Sequence, residues 1–284
     1  MGTQIAAAKC DPSSWDVFED VDVFVEKGWS EIERLRRQDE QRGRRGPKAA
    51  LDAETRRRCL MAMWSVCFCG MQWRAVARMT QLPFGTLFSL FSRWSRRGVW
   101  RRLLGDAVRA WRTACGDSPE PSAVAIDSRS CRSAPTAFAH GIDGGKLVKG
   151  VKIHLAVDKH GFPVSIRVTA ANVHDTVGIR PVLEDLAARG FTGVALGDIG
   201  YRGASLAEFA EKLGMTVVAK AAGTGKPFLP QEIRWVVERT FAWLSRYRRL
   251  NTIFERTEES LIAFIEIACA LMLIRRLARL KTAE

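Results

Sequence analysis

The sequence predicts an α/β protein, a mixed five-stranded sheet with flanking helices, preceded by an all-α domain of helix-turn-helix type. Three observations predict it. From about residue 122, short apolar runs bounded by turn residues alternate with helical patterns, as a sheet covered by helices requires. Upstream the patterning is helical only, and Gly116-Asp-Ser-Pro-Glu-Pro121 separates the two regions, because two prolines in three residues end any preceding helix. Two apolar runs also close on an aspartate, Asp127 and Asp198, the rim position where open α/β sheets bind ligands.

Residues 1–40 form an acidic lead with a weak apolar stripe, Val21, Val23, Phe24, Ile32 and Leu35; no role is legible for it. Gln41-Arg-Gly-Arg-Arg-Gly-Pro-Lys48 reads as a basic linker, since its glycines and proline break a helix. Helices are then expected over Leu51–Cys69, Gln72–Met79 and Thr86–Arg97, with a turn at Thr80-Gln-Leu-Pro83. Short helix, tight turn and longer helix is the helix-turn-helix plan, in which the later helix enters the major groove. That helix carries Arg93, Arg96 and Arg97 at its end, as candidate DNA contacts. A three-helix bundle cored by Trp64, Trp73, Phe88, Phe91, Trp94 and Trp100 has the same sequence pattern.

Beyond the break, Val124–Ser128 is the first expected strand and Ser133–Leu147 a Gly-rich loop. Val151–Asp158 and Val164–Thr169 form a hairpin across Lys159-His-Gly-Phe-Pro163. A helix over Asp175–Arg189, a strand over Gly193–Leu196, a helix over Ala204–Leu213 and a strand over Met215–Ala219 follow. Helices over Glu232–Arg248 and Glu258–Leu280 complete the order. The last has the apolar stripe Leu261, Phe264, Ile265, Ala268, Leu271 and Met272 of a helix packed on the sheet. The regions so defined are a lead at 1–40, a helical DNA-binding domain at 41–112 and a catalytic domain at 120–284.

The chain of 284 residues carries a net charge of +13, with −5 over residues 1–40 and +11 over 41–120. A basic middle segment suits phosphate neutralisation, which supplies sequence-independent affinity for nucleic acid. The seven cysteines are odd in number and scattered, and only Cys67 and Cys69 lie close, so neither a disulfide framework nor a zinc site is expected. The first residues lack the pattern of a signal peptide, and the longest apolar stretch, Ile267–Ile274, is far short of the ~20 residues a bilayer requires. A reduced, cytoplasmic protein with no membrane partner is the expectation.

Asp127, Asp198 and Glu238, the last inside a helical stretch, are the candidate catalytic and metal-binding carboxylates. Hard oxygen donors favour Mg²⁺ or Mn²⁺, and beside a basic surface the natural substrate is a phosphodiester. Two divalent ions ~3.5–4 Å apart can activate the attacking oxygen and stabilise the leaving one. Singly, each acid has a plainer reading: strand-end aspartates cap turns, and Glu238 can pair with Arg234 four residues earlier. His174 and Asp175 fit a helix cap led by Asp175, or a place just behind the metal-binding acids. His154 reads as structural. Gly223-Thr-Gly-Lys226 lacks the spacing of a phosphate-binding loop.

Together, Ala125-Ile-Asp-Ser128, Lys152-Ile-His-Leu-Ala-Val-Asp158, Asn172-Val-His-Asp175, Gly197-Asp-Ile-Gly-Tyr201 and Arg234-Trp-Val-Val-Glu-Arg-Thr-Phe-Ala-Trp-Leu244 resemble the DDE transposases of bacterial insertion sequences, in the insertion-sequence-five group. The resemblance covers about residues 122–275. Upstream, Gln72-Trp-Arg-Ala75 and Arg93-Trp-Ser-Arg-Arg-Gly-Val-Trp100 resemble the helical domain of the same group. It implies an RNase H-like catalytic fold with Asp127 on the first strand, Asp198 ending the fourth and Glu238 on the helix after the fifth. It further implies two Mg²⁺ ions, with Mn²⁺ able to substitute, and cleavage of terminal inverted repeats followed by joining to target DNA. A homodimer on double-stranded DNA in the bacterial nucleoid is also implied. Arg234 matches the family's arginine, but Gln231 and Ser245 stand where a Tyr and a Lys are usual, so Arg246 or Arg249 is expected to take over the DNA-end contact. The alternative is a catalytically inactive DNA-binding protein or repressor derived from such an element; a ribonuclease on the same fold is a third.

Overall fold

The computed structural model describes residues 19–41, 51–219 and 230–282. The expected linker at 41–48, apart from Gln41, and Gly223–Lys226 lie outside them, as do the side chains of Gln231 and Arg234.

Among the described residues the N-terminal half is five helices: α1 (Glu19–Gln41), α2 (Ala53–Cys69), α3 (Trp73–Met79), α4 (Phe84–Arg96) and α5 (Val99–Ala114). Local chemistry sets their ends. Asp52 caps α2 by accepting from the Thr55 amide at 2.8 Å, Pro83 precedes α4, and Gly98 separates α4 from α5. The acidic lead is not a detached arm. Phe24 is fully buried and stacks on Trp100, while Glu31 pairs with Arg102 and Arg34, and Asp39 with Arg97. Phe88, an expected core residue, is 40% exposed, because α4 turns that face outward beside Phe84.

The sheet contains the five expected strands and two short ones that the sequence reading left in loops. Its members are β1 (Ala123–Ser133), β2 (Gly141–Asp143), β3 (Val148–Val157), β4 (Pro163–Ala170), β5 (Val194–Gly197), β6 (Thr216–Ala219) and β7 (Thr252–Ile253). β3 pairs antiparallel with β1, β2 and β4, whereas β5 runs parallel to both β1 and β6. At Gly150 an added β-carbon would fall 2.0 Å from the Cys131 carbonyl, so a glycine is needed where β3 crosses β1 closely and the β2–β3 hairpin curls over the sheet. This curled mixed sheet with flanking helices, beside a helical N-terminal region, is the expected RNase H-like arrangement.

The expected helix over Asp175–Arg189 is two: α6 (Asp175–Gly178) and α7 (Arg180–Ala187), with Pro181 in the first turn of the second. α8 (Ala204–Lys212), α9 (Pro230–Leu244) and α10 (Glu258–Thr282) complete the layers. The stripe on α10 suits a core helix packed on the sheet, with a dimer interface as the alternative. The helix is buried nearly all round between Leu261 and Ile274 and packs against α5, α1, α2 and α4 as well as β4, so one apolar core runs through both halves.

A buried ion pair ties the halves further along. Arg112 on α5 meets Asp158 at 3.1 Å with both side chains below a tenth exposed. Asp158 also accepts from the His160 and Phe162 amides at 3.0 and 2.9 Å, which fixes the β3–β4 turn. Removing one partner of such a pair strands a buried charge. Asp158→Ala is expected to lower the unfolding free energy by about 3 kcal/mol, read from urea midpoints at unchanged slope. Lys159→Ala, which breaks the exposed Lys159–Asp117 pair, should cost under about 1 kcal/mol; equal losses would refute the assigned role of burial.

Candidate active site

The strand β1 sorts its side chains to two faces. Val124 and Ile126 join Ala156 and Ala195 in the core beneath α7 and α8, whereas Ala125 and Cys131 join Val151, Ile153 and Leu155 in the core beneath α9 and α10. With a period of two, Asp127 points to the α9 side and Ser128 and Ser130 to the opposite one. The β1–β5 register pairs Ala125 with Leu196. Two residues further on, Asp127 of β1 comes level with Asp198, the residue just past the end of β5, where the parallel pairing has ended. Asp198 accepts from the Gly200 amide at 2.9 Å and so starts a single 3₁₀ turn, Ile199–Tyr201.

The two acids feel each other. Burial first, then the Asp198 charge, push the Asp127 carboxyl up to about 6, against the hydrogen bond it accepts from the Ser128 amide at 2.7 Å. Glu238 is carried by the helix on the same sheet face. Arg129 on β1 donates to the Phe241 carbonyl at 2.9 Å, one turn beyond Glu238, and α9 packs against β1, β3 and β5. The Glu238 side chain is exposed, and among the described residues no three His, Cys, Asp or Glu side chains converge on one point that could hold a metal ion. Asp127 and Asp198 are thus brought together, while Glu238 shares their layer without closing a three-acid cluster.

Behind Asp127, on the other face, lies a polar layer that the sequence reading did not assemble. Lys152 is 6% exposed and stands 3.0 Å from Asp175 and 3.7 Å from Asp143, donating also to the Val173 carbonyl at 2.9 Å. Ser128 donates to the same Asp175 oxygen at 2.7 Å. Burial pushes the Asp175 carboxyl up, but the Ser128 and Lys152 hydrogen bonds and the lysine charge hold it below the usual range. The Tyr201 ring slides under Gly197, where a β-carbon would come within 2.7 Å of it. Its hydroxyl is buried without a hydrogen bond, beside Ser128 and the carboxylates of Asp127 and Asp175. A lysine on an inward position of an alternating strand was the available cue.

Other expected residues fall differently. The cap of α6 is His174, whose Nδ1 receives the Thr176 amide at 3.3 Å; Asp175 does not cap, because Ser128 and Lys152 engage its carboxylate. Arg249 turns inward, 2.7 Å from buried Glu255 and over the rings of Phe254 and Phe264, so it faces the core instead of a DNA surface. Arg97 pairs with Asp39 at 2.5 Å. Arg93, Arg96 and Arg246 are exposed, and Arg246 lines a small basic hollow with Trp243, Arg275, Arg276 and Arg279. Trp235, 57% exposed, stacks on Arg239.

Residues 118–226 match a family model described as "Transposase DDE domain", and residues 196–275 match a second model of the same description. Together the two matches mark residues 118–275 as a transposase DDE domain. The chain is also 33% identical over 144 residues to a Burkholderia cepacia protein named "Putative transposase for insertion sequence element IS402". That match covers 46% of this chain, and the chain spans 65% of the relative's length. No described helix is long and apolar enough to cross a membrane.

His154 gives the polar layer a pH signature. It is fully buried, with Nε2 at 2.9 Å from Thr169 Oγ1 and Nδ1 without a partner. Burial, aided by the Lys152 charge and opposed by Asp175, lowers its pKa to about 4. A base whose folded pKa lies below its ordinary 6.5 contributes stability at pH above 6.5 and loses it as pH falls through about 4. Wild type should therefore lose on the order of 3 kcal/mol more than His154→Gln between pH 7 and pH 4. Parallel stability curves from urea titrations would rule out this assignment.

Proposed function

We propose that the protein is a transposase that cleaves the ends of its insertion sequence and joins them to target DNA by phosphodiester hydrolysis and transesterification. The observation that carries this reading is the level placement of Asp127 on β1 and Asp198 just past the end of the adjacent parallel strand β5, inside a stretch matching a transposase DDE domain. The placement of the chain in the insertion-sequence-five group is a finer part of the same proposal.

The site residues suit a divalent cation. Asp127 and Asp198 are hard oxygen donors, and burial and the acidic neighbour that push the Asp127 carboxyl up to about 6 are penalties on its charge that a bound cation would offset. Asp127, Asp198 and, from α9, Glu238 would hold Mg²⁺, with Mn²⁺ able to substitute, and two ions are proposed. Bound there, the ions would supply Lewis acidity at the reacting phosphate. The protein's own part is positional: the β1–β5 register fixes the aspartates, Ser128 and Lys152 brace Asp175 behind them, and α9 carries Glu238 on the same sheet face. Exposed Arg93, Arg96 and Arg246 are proposed to hold duplex phosphates, residues 41–112 to act as the DNA-binding unit and 120–284 as the nuclease. A homodimer on the paired ends, in the bacterial nucleoid, completes the proposal.

Purified protein with Mg²⁺ or Mn²⁺ and a duplex bearing the inverted repeats that flank its gene is expected to nick and join that duplex. Asp127→Asn and Asp198→Asn should reduce both steps beyond the ~10–100-fold typical of losing an outer partner of a metal site, while filter binding of the duplex persists. Lys152→Met, which removes the brace on Asp175, should fall within that ~10–100-fold range. Binding without cleavage by wild type would favour the derived repressor instead, and preferential cutting of an RNA–DNA hybrid would favour a ribonuclease.

A further inference from the structure

The β2–β3 hairpin has a tip, Gly144-Gly-Lys-Leu147, that the proposed chemistry does not use. Among the described residues no large apolar side chain is more exposed than Leu147, at 83%, and Ile142 beside it is 59% exposed. Leu147 also has φ +52°, a left-handed conformation that side chains with a β-carbon rarely adopt. The chain places glycines at 144 and 145 but a leucine at the strained position. Backbone strain of this kind clusters at ligand-contacting and switch positions.

The tip is rigid. Asp143 Oδ1 accepts from the Gly145 and Lys146 amides at 3.0 and 3.1 Å, and the Leu147 amide donates to the Asp143 carbonyl at 2.8 Å. The other carboxylate oxygen of Asp143, a buried residue, takes the Ser130 hydroxyl and lies 3.7 Å from Lys152. Ser130 is three residues past Asp127 on β1, and Lys146 stands near enough for its charge to act on the Asp127 carboxyl. Lys146 and Lys149 are exposed. A preorganised apolar point flanked by cations, beside a pair of catalytic acids, matches one chemistry well. Proteins that distort duplex DNA wedge an apolar side chain between base steps while cations take the adjoining phosphates. Two exposed apolar side chains are too few for a protein interface, which needs about 800 Å² from each partner.

We propose that this tip contacts duplex DNA at the cleavage site, with Leu147 against a partly unstacked base step and Lys146 and Lys149 on neighbouring phosphates, so that the scissile bond is presented to Asp127 and Asp198. The inference rests on the transposase reading and adds a positioning element to it. Loss of the leucine side chain should lower end cleavage about tenfold to a hundredfold, the range set by burying one such side chain.

The backbone strain makes the test separable from folding. Leu147→Gly and Leu147→Asn suit a left-handed residue, so their melting temperatures should equal or exceed wild type. Both should nevertheless lose cleavage of the inverted-repeat duplex, whereas Leu147→Met should retain it. With 2-aminopurine at successive positions around the cleavage site, wild type should raise fluorescence at one step and the glycine and asparagine variants should not. Lys146→Gln should reduce the salt dependence of binding by about one phosphate contact. If wild type cleaves and the glycine and asparagine variants cleave equally well with the same fluorescence, the tip has no such role and the transposase reading stands. If wild type neither binds nor cuts the duplex, the transposase reading fails and this proposal falls with it.

Discussion

The constraint on which the site depends is the two-sided pairing of β1. On one edge it runs antiparallel to β3 for eight paired positions, Ala125 to Arg132, and on the other it runs parallel to β5 for only three, Ala123 to Ala125. The long pairing holds the strand straight through Asp127, while the short one stops two residues before it. An aspartate in the middle of a strand thus gains an open edge. A shift of one residue in the β1–β5 pairing would turn one aspartate to the opposite face from the other.

Around that edge the protein arranges charges of both signs at close quarters. Asp127 and Asp175 lie on opposite sides of one strand, and their carboxyls move in opposite directions from the usual range. Burial raises both. Asp175 has a hydrogen-bonded lysine and hydroxyl to offset it, which leaves it a settled anion, whereas Asp127 has a backbone amide, the charge of Lys146 without a hydrogen bond to it, and a like-charged neighbour. Such divergence between adjacent carboxyls is characteristic of functional sites. The buried Lys152 is therefore best understood as part of the support of the site, since a lysine without acidic partners would not be tolerated there.

The helical half is bound to this sheet by more than a connector. α10 lies between them and shares its apolar surface with both, and Arg112 with Asp158 adds a charged tie at the far end. The same packing decides which arginines face outward. Arg97 and Arg102 are taken by acidic residues of α1 and Arg249 by Glu255, whereas Arg93 and Arg96 on α4 stay at the surface. Net charge alone could not separate these groups, because pairing is set by which helices touch.

The sequence by itself determined the α/β class, the order of the five principal strands and the strand-end settings of Asp127 and Asp198, since these follow from local periodicity, breakers and motif spacing. It did not disclose β2 or β7, whose two or three residues carry no period of their own and form only by adding to β3 and β1. Nor did it reveal the burial of α10 on all sides, the Lys152–Asp175–Ser128 layer or the inward turn of Arg249. Those depend on contacts between residues far apart in the chain. Only the tertiary structure decided them, because a side chain's partner and its exposure are properties of the packed surface opposite it.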